Sequence, residues 1–280
     1  MENRKLSKII SSETVPTLDS KVSDSILTQT KPVFIVYICL FTFCELLSVI
    51  EPNMGLIFHS VTLALITIHS PLVRRVDPEL SKLLIALTSV PLIRIVSLIS
   101  PVIQFSILQW FLVISIVLYS SIFISIRVIG NDLSDYGFRI PERKHFPLEV
   151  FIIFCGLFFG FLENAILDPL PIVETVSIIS VAAPFIALYF GTGILEELLF
   201  RGVIQRHSIE FFGKWGGVIF TTLVFTIFHI GWESGADLVF VGTVGFIFSL
   251  VVIKTGSLIG VSFSHAVTNL SLFVLAPEFL

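Results

Sequence analysis

Long uninterrupted apolar runs constrain this chain more than any other feature. They lie near residues 33–50, 55–73, 83–100, 102–126, 148–167, 180–205, 216–230, 236–253 and 257–276. A helix needs about 20 mostly apolar residues to cross the hydrocarbon core of a bilayer, whereas strands of a membrane barrel show short alternating segments. The sequence therefore predicts an all-α, polytopic helical membrane protein with about eight to nine transmembrane helices.

The composition excludes a soluble globular protein. Hydrophobic residues make up 55% of the chain and charged residues only 14%, whereas soluble domains have about 25% charged residues. The net charge of −4 gives no support to a nucleic-acid partner. The three cysteines lie in apolar runs, which is typical of small buried hydrophobic residues rather than of a disulfide framework.

Basic residues concentrate on one side of the predicted membrane protein. Of the 17 Lys and Arg, all except Arg94 fall in the N-terminal segment, in the even-numbered connections between runs or, for Arg201, at the end of the sixth run next to such a connection. Cytoplasmic loops are the ones enriched in Lys and Arg. We therefore expect an integral, multi-pass protein of the cell membrane with a cytoplasmic N-terminus and, if nine runs span, an outer C-terminus.

Polar stretches divide the chain into three predicted parts. Residues 1–32 are polar and lack the apolar region of a signal peptide, so they are predicted to be a cytoplasmic tail. The stretch around 130–147 then separates an accessory N-terminal helical bundle, 33–129, from a C-terminal core, 130–280.

Two charged residues lie inside the apolar runs of the N-terminal bundle. Glu45 and Arg94 are placed at a similar depth from the same side of the membrane. Charges within a bilayer usually face the bundle interior and pair with one another. We expect a structural Glu45–Arg94 pair, with a part in a transport pathway as the alternative.

Two adjacent carboxylates lie in the sixth run. Arg201 follows Glu197 by four residues, so the two share a helix face and can form an ion pair. Glu196 points about 100° away from Glu197 and is free to face another group. Because intramembrane ionisable residues are costly, their presence indicates a functional site.

Two further polar residues lie one turn from a partner on the same helix face. Phe225 and His229 are four residues apart in the seventh run, as are His265 and Asn269 in the ninth. Counted from the nearest cytoplasmic Lys or Arg at 1.5 Å per residue, Glu196, His265 and His229 lie roughly 15, 17 and 22 Å deep. We therefore expect three helices to bring acid/base groups and hydrogen-bond donors into one layer of the membrane.

The ordered set of motifs carries a family resemblance. Glu-Glu-x-x-x-Arg at 196–201, Phe-x-x-x-His at 225–229 and His-x-x-x-Asn at 265–269 resemble the CAAX prenyl endopeptidases of the Ras-converting type. The same superfamily includes the bacteriocin-processing and immunity (Abi) proteins. LSDYGFR at 133–139 looks like the linker that often precedes this core, and the resemblance covers about 130–276.

The resemblance implies an intramembrane, glutamate-dependent endopeptidase inside a cone of helices. It implies that Glu196 and His229 hold and activate the attacking water. It also implies that His265 and Asn269 stabilise the oxyanion of the tetrahedral intermediate. The supporting residues that it implies are Glu197, Arg201 and Phe225.

No cofactor is expected from the sequence. It contains neither a His-Glu-x-x-His helix of the thermolysin type nor a Gly-x-Ser-x-Gly segment. Relatives are often described as metalloproteases, and two histidines with a glutamate are competent zinc ligands. The alternative is therefore a Zn²⁺ ion held by Glu196, His229 and His265.

The expected partners are the lipid bilayer and a membrane-anchored or lipidated peptide or protein substrate. Two other functions stay open. One is a transporter or proton-relay protein, since intramembrane Glu and His residues also serve proton relays. The other is a non-catalytic immunity protein of the same fold.

The charge pattern makes a direct prediction about topology. Single cysteines introduced near Arg139 in a cysteine-free background should react with a membrane-impermeant reagent only from the cytoplasmic side. Cysteines near Asp168 should react only from outside. Cytoplasmic labelling near Asp168 would reverse the predicted orientation.

Overall fold

A computed structural model describes residues 19–99, 107–173 and 177–279, which include most of the predicted runs. Residues 1–18 of the predicted tail and 102–106 of the fourth run lie outside the described residues. Within the described ranges the regular structure is helical and no residue lies in a strand. The prediction of an all-α fold is therefore confirmed.

Five α-helices lie in the described part of the N-terminal half. Their bounds are α1 Asp19–Ile50, α2 Pro52–Val73, α3 Pro78–Leu87, α4 Ser89–Ile99 and α5 Ile107–Ile129. α2 and α3 both have proline in the first turn, where its missing N–H costs no hydrogen bond. Because α1 begins at Asp19, part of the polar segment predicted as a tail is helical.

Seven α-helices lie among the residues that the structure describes after residue 130. Their bounds are α6 Phe146–Leu167, α7 Ile178–Leu188, α8 Ile194–Glu197, α9 Gln205–Ile227, α10 Gly235–Thr255, α11 Ile259–Leu270 and α12 Ala276–Phe279. Three wider, π-helical segments continue directly from one α-helix into the next. These segments are Tyr189–Gly193, Leu198–Ile204 and Ser271–Leu275.

Eight helical stretches of the described residues are long and apolar enough to cross a membrane. One of them, Ile178–Trp232, has 55 residues and would be about 80 Å long if straight. Gly213 interrupts it with a φ of 76° and a ψ of 169°. A side chain at Gly217 would collide with the backbone of Ser208 and Ile209, so the chain folds back at Gly213 and holds two of the nine predicted runs.

The segment before α6 is docked onto the C-terminal helices. The Tyr136 hydroxyl lies 2.9 Å from His207 Nε2, and Arg206 donates to the Asp135 carbonyl at 2.6 Å. Burial raises the pKa of the Tyr136 hydroxyl, so this group stays neutral and able to hydrogen-bond. Gly137 has a φ of 86° and its carbonyl accepts from Leu258 N–H at 3.0 Å.

α6 and α11 approach each other closely enough to exclude side chains at two glycines. A Cβ atom at Gly156 would meet the carbonyl of Ser264, and one at Gly160 would meet the carbonyl of Thr268. Small residues four apart are the usual means by which membrane helices pack closely. Ser264 Oγ adds a hydrogen bond to the Ile152 carbonyl at 2.7 Å, which fixes the helix that bears His265.

From residue 38 onward, the helices that precede residue 130 are not a separate body from those that follow it. Residues 38–280 pack as one compact unit. The expected ion pair joins α1 to α4, since Arg94 Nη2 lies 2.6 Å from Glu45 Oε2. α5 contacts the first π-helical segment, where the Tyr119 hydroxyl donates to the Phe190 carbonyl at 2.7 Å. The predicted boundary near residue 130 stays a prediction.

Candidate active site

A cavity of about 480 Å³ lies between the two halves of residues 38–280. This volume is in the range of small-molecule and peptide-side-chain sites. Its walls are largely aromatic and aliphatic, and its ionisable lining groups are Arg94, Glu196 and His229. The cavity therefore combines an apolar lining with a few acid/base groups.

The two adjacent glutamates lie on a single α-helical turn between two π-helical segments. α8 contains only Ile194–Glu197, and the segments before and after it are wider than an α-helix. Wide turns of this kind often occur at functional sites. The side chain of Glu196 is 30% exposed to the cavity, whereas that of Glu197 is fully buried. The two carboxylates thus have different environments, as their spacing predicts.

Glu197 holds two cationic or polar partners at once. Its Oε1 atom accepts from Arg201 Nη1 at 3.0 Å, which is the ion pair expected from the sequence. The same oxygen lies 2.8 Å from His265 Nδ1 on α11. Since the carboxylate accepts, the Nδ1 atom of His265 carries the proton. Glu197 therefore ties α11 to the turn that bears Glu196.

Phe225 lies between Arg201 and His229. The guanidinium carbon of Arg201 is 4.1 Å from the centre of the Phe225 ring, and the ring of His229 is 4.8 Å from it. A cation over an aromatic face is stabilised electrostatically, most of all away from water. This contact helps to offset the burial of Arg201, whose Nε and Nη2 atoms have no hydrogen-bond partner in the described residues.

His229 is oriented by its own helix. Its Nδ1 atom lies 3.0 Å from the Phe225 carbonyl one turn earlier. A carbonyl can only accept, so Nδ1 donates, and in the neutral ring Nε2 keeps its lone pair. Because His229 also lines the main cavity, this lone pair is suited to accept a hydrogen bond from water.

His265 presents its second nitrogen to Glu196. The Nε2 atom lies 3.8 Å from Glu196 Oε2, a distance that one bridging molecule or a small rotation would close. A second cavity of about 40 Å³ lies beside His265, and its lining also includes His229 and Asn269. That volume is enough for one to a few water molecules.

Asn269 is held by a residue that the sequence analysis did not single out. Its Nδ2 atom donates to Thr192 Oγ1 at 2.9 Å, and the Thr192 hydroxyl donates to the Leu188 carbonyl at 2.7 Å. A carboxamide nitrogen has two hydrogens, so the second one remains for another acceptor. Thr192 thereby links the first π-helical segment to α11.

The comparison with known families gives one match. Residues 178–271 match the model of the Rce1-like family, the type II CAAX prenyl endopeptidases. The resemblance inferred from the motifs is thus confirmed for this segment, which is about a third of the chain. No curated protein and no solved structure matches. The Rce1-like match supports a membrane endopeptidase and contains all seven residues assigned to the site from the sequence.

Two residues near the site lie outside the Rce1-like segment. Arg94 lines the main cavity from α4, whereas the sequence analysis favoured a structural pair with Glu45 over a part in a transport pathway. Glu163 on α6 is buried and lines the small cavity beside His229 and His265. A single glutamate near the end of an apolar run carries no motif, so its position could be learned only from the packing of α6.

The metal alternative has a definite geometric requirement. A zinc site needs three protein ligands that converge on one point. In the described ranges, no three His, Cys, Asp or Glu side chains are arranged to hold a metal ion. That the protein binds no cofactor stays a prediction. In the alternative, the zinc ligands are Glu196, His229 and His265.

The different surroundings of the two glutamates predict different effects on stability. Glu197→Ala should lower the apparent melting temperature in detergent markedly, because a buried Arg201 without its partner costs about 3–5 kcal/mol. Glu196→Ala removes a side chain that faces the cavity and should leave the melting temperature close to that of the wild type. Equal destabilisation of the two variants would contradict this assignment.

Proposed function

We propose that this multi-pass membrane protein is a glutamate-dependent endopeptidase that hydrolyses a peptide bond of a membrane-associated substrate. The main support is the position of Glu196, whose carboxylate is open to the cavity and faces His265, while Glu197 is buried and engaged by Arg201 and His265. The Rce1-like match over residues 178–271 supports the same reaction class.

Glu196 and His229 are proposed to activate the attacking water. Both line the cavity, and His229 Nε2 offers a lone pair because Nδ1 is engaged with the Phe225 carbonyl. Glu196 takes a proton from the water, whose oxygen then bonds to the carbonyl carbon of the substrate. The carbonyl double bond opens and its oxygen becomes an oxyanion.

His265 and Asn269 are proposed to stabilise that oxyanion. Asn269 retains one N–H beyond its bond to Thr192. His265 donates from Nδ1 to Glu197, so its Nε2 atom can donate only when the ring carries a proton on both nitrogens. The oxyanion then re-forms the carbonyl double bond, and the C–N bond breaks as the leaving amine takes the proton that Glu196 had accepted, which restores the Glu196 carboxylate.

No metal ion is needed in this sequence of steps. If Zn²⁺ were bound, Glu196, His229 and His265 would be its ligands, and the ion would polarise the carbonyl oxygen as a Lewis acid. We propose the metal-free reaction because His265 and Asn269 already supply polar groups for the oxyanion. Stoichiometric zinc in the purified protein, lost in His265→Ala, would contradict it.

The substrate is proposed to be a membrane-anchored or lipidated peptide or protein. Exposed aliphatic and aromatic side chains on the outer helix faces are suited to lipid contact, and the cavity lies at the level of these helices. A substrate that is itself held in the bilayer can reach this depth without crossing an aqueous phase. We further propose the cell membrane as the location, with the N-terminus in the cytoplasm.

Removal of the Glu196 carboxylate tests the proposed function. Purified wild-type protein should cleave an internally quenched peptide that ends in Cys-Val-Ile-Met and is farnesylated on cysteine, with or without a chelator. Glu196→Gln should lower the rate at least about 100-fold, the usual scale for loss of a general base. Wild-type turnover by a correctly folded Glu196→Gln protein would contradict the mechanism.

Removal of the Asn269 amide tests the oxyanion assignment. Asn269→Ala should lower kcat roughly 100- to 1,000-fold, the range for loss of one oxyanion donor. KM should change little, since the contact strengthens only in the transition state. Thr192→Val keeps the amide but removes its hydrogen-bond partner, so it should cause a smaller loss of kcat. A rise in KM alone for Asn269→Ala would assign this residue to substrate binding instead.

A further inference from the structure

Arg94 brings a cationic side chain from the N-terminal bundle to the cavity that holds Glu196 and His229. It lies on α4, outside the segment that matches the Rce1-like family. An arginine within a membrane helix is costly and usually has a function when it faces a cavity. Its contacts show which of its donors are already engaged.

Glu45 fixes one edge of the guanidinium group. Arg94 Nε donates to Glu45 Oε1 at 3.0 Å, and Arg94 Nη2 lies 2.6 Å from Glu45 Oε2. A hydrogen bond and an ion-pair contact to the same carboxylate hold the planar guanidinium in one orientation. Glu45 is fully buried and also lies 3.3 Å from His59 Nε2. The charge of Arg94 is thus offset within the bundle.

The backbone beside His229 fixes a second edge of the guanidinium. Arg94 Nη2 also donates to the Phe228 carbonyl at 2.9 Å, and the guanidinium carbon lies 5.6 Å from the centre of the Phe228 ring. Since Phe228 directly precedes His229, this contact places Arg94 next to the proposed water-activating residue.

The third guanidinium nitrogen, Nη1, is not used in these contacts. Arg94 Nη1 makes no hydrogen bond to any described residue, although it carries two N–H groups. The side chain is 16% exposed and contributes to the cavity wall. Nη1 lies beside Gly231, where a Cβ atom would be 3.8 Å from it. A donor held rigidly at a cavity wall binds an oxygen acceptor with little further loss of side-chain freedom.

We propose that Arg94 is a substrate-binding residue whose Nη1 donates to a main-chain carbonyl of the bound peptide near the scissile bond. This rests on the proposed function of the site. A neutral carbonyl is favoured over a carboxylate for two reasons. Glu45 already offsets the charge of Arg94, and an added anion would share the cavity with Glu196.

The aromatic surroundings of Arg94 agree with a peptide ligand. Trp110 and Phe111 on α5 and Trp232 after α9 line the same cavity. These rings suit apolar substrate side chains, whereas the main chain of the substrate needs polar partners once it leaves water. Arg94 supplies such a donor from the side of the N-terminal bundle.

Kinetics of Arg94→Lys separate binding from structure. Lysine keeps a positive charge for Glu45 but has no fork that can engage Glu45 and still present a fixed donor to the cavity. For the farnesylated Cys-Val-Ile-Met peptide, KM should rise about tenfold or more with kcat within about twofold of the wild type, as for loss of one charge-assisted hydrogen bond. The double variant Glu45→Gln with Arg94→Gln removes both charges together and should show the same rise.

A matched control lies on the same helix. Ser89 contacts Ser121 Oγ at 2.8 Å and does not line the cavity, so Ser89→Ala should leave KM unchanged. A similar rise in KM for Ser89→Ala would mean that displacement of α4, rather than a direct contact, explains the effect. A fall in kcat with unchanged KM for Arg94→Lys would also overturn the proposal, because Arg94 would then act through His229.

Two peptide forms identify the acceptor. The free-acid and the C-terminally amidated peptide should show the same tenfold change, since both contain the main-chain carbonyls. A change confined to the free acid would overturn the carbonyl assignment in favour of the terminal carboxylate.

A binding measurement separates this proposal from the proposed function. If the wild type fails to cleave the peptide, the proposed function fails for this probe, and the dissociation constant of the fluorescent peptide is compared between wild type and Arg94→Lys. A tenfold weakening would support the Arg94 contact by itself. An unchanged constant, or no saturable binding to the wild type, would overturn it.

Discussion

The hydrogen-bonded group around the Glu197 carboxylate is the interaction on which the candidate site depends. One oxygen atom accepts from Arg201 and from His265, so a single buried charge orients residues of two helices. In a low-dielectric interior such a group is stable only when all its members are present, since removal of one leaves a buried charge uncompensated. The direction of the His265 ring, and hence the group that Glu196 faces, follows from this arrangement.

The site also needs helices that its motifs do not include. α6 carries no motif residue, yet its glycines let α11 come close enough to set the depth of His265 and Asn269. The N-terminal bundle contributes Arg94 and one wall of the cavity. The Rce1-like match covers only residues 178–271. The N-terminal bundle therefore helps to form the cavity from outside the matched segment.

The structural features that sequence patterns predicted are those that depend on membrane insertion and on helix periodicity. The helical class followed from run length, and the Glu197–Arg201 pair followed from a spacing of four residues. The contact of Glu197 with His265 and the bond of Asn269 to Thr192 join residues 68 and 77 positions apart. Such contacts depend on which helix faces pack together, and no local pattern encodes that choice. The start of α1 at Asp19 differs from the predicted tail because polar residues can extend a helix beyond the membrane.

The wide turns that flank the site have a consequence for how its sequence can change. A π-helical turn is an α-helix with one additional residue, and each residue of an α-helix advances its side chain by about 100°. Such turns lie on both sides of Glu196 and directly after the helix that ends with Leu270. If Tyr189–Gly193 became regular α-helix with its length unchanged, Glu196 would rotate by about 100° relative to the preceding helix and turn away from the cavity. Substitutions that favour regular α-helix in these segments therefore change the direction in which Glu196 points without altering Glu196 itself.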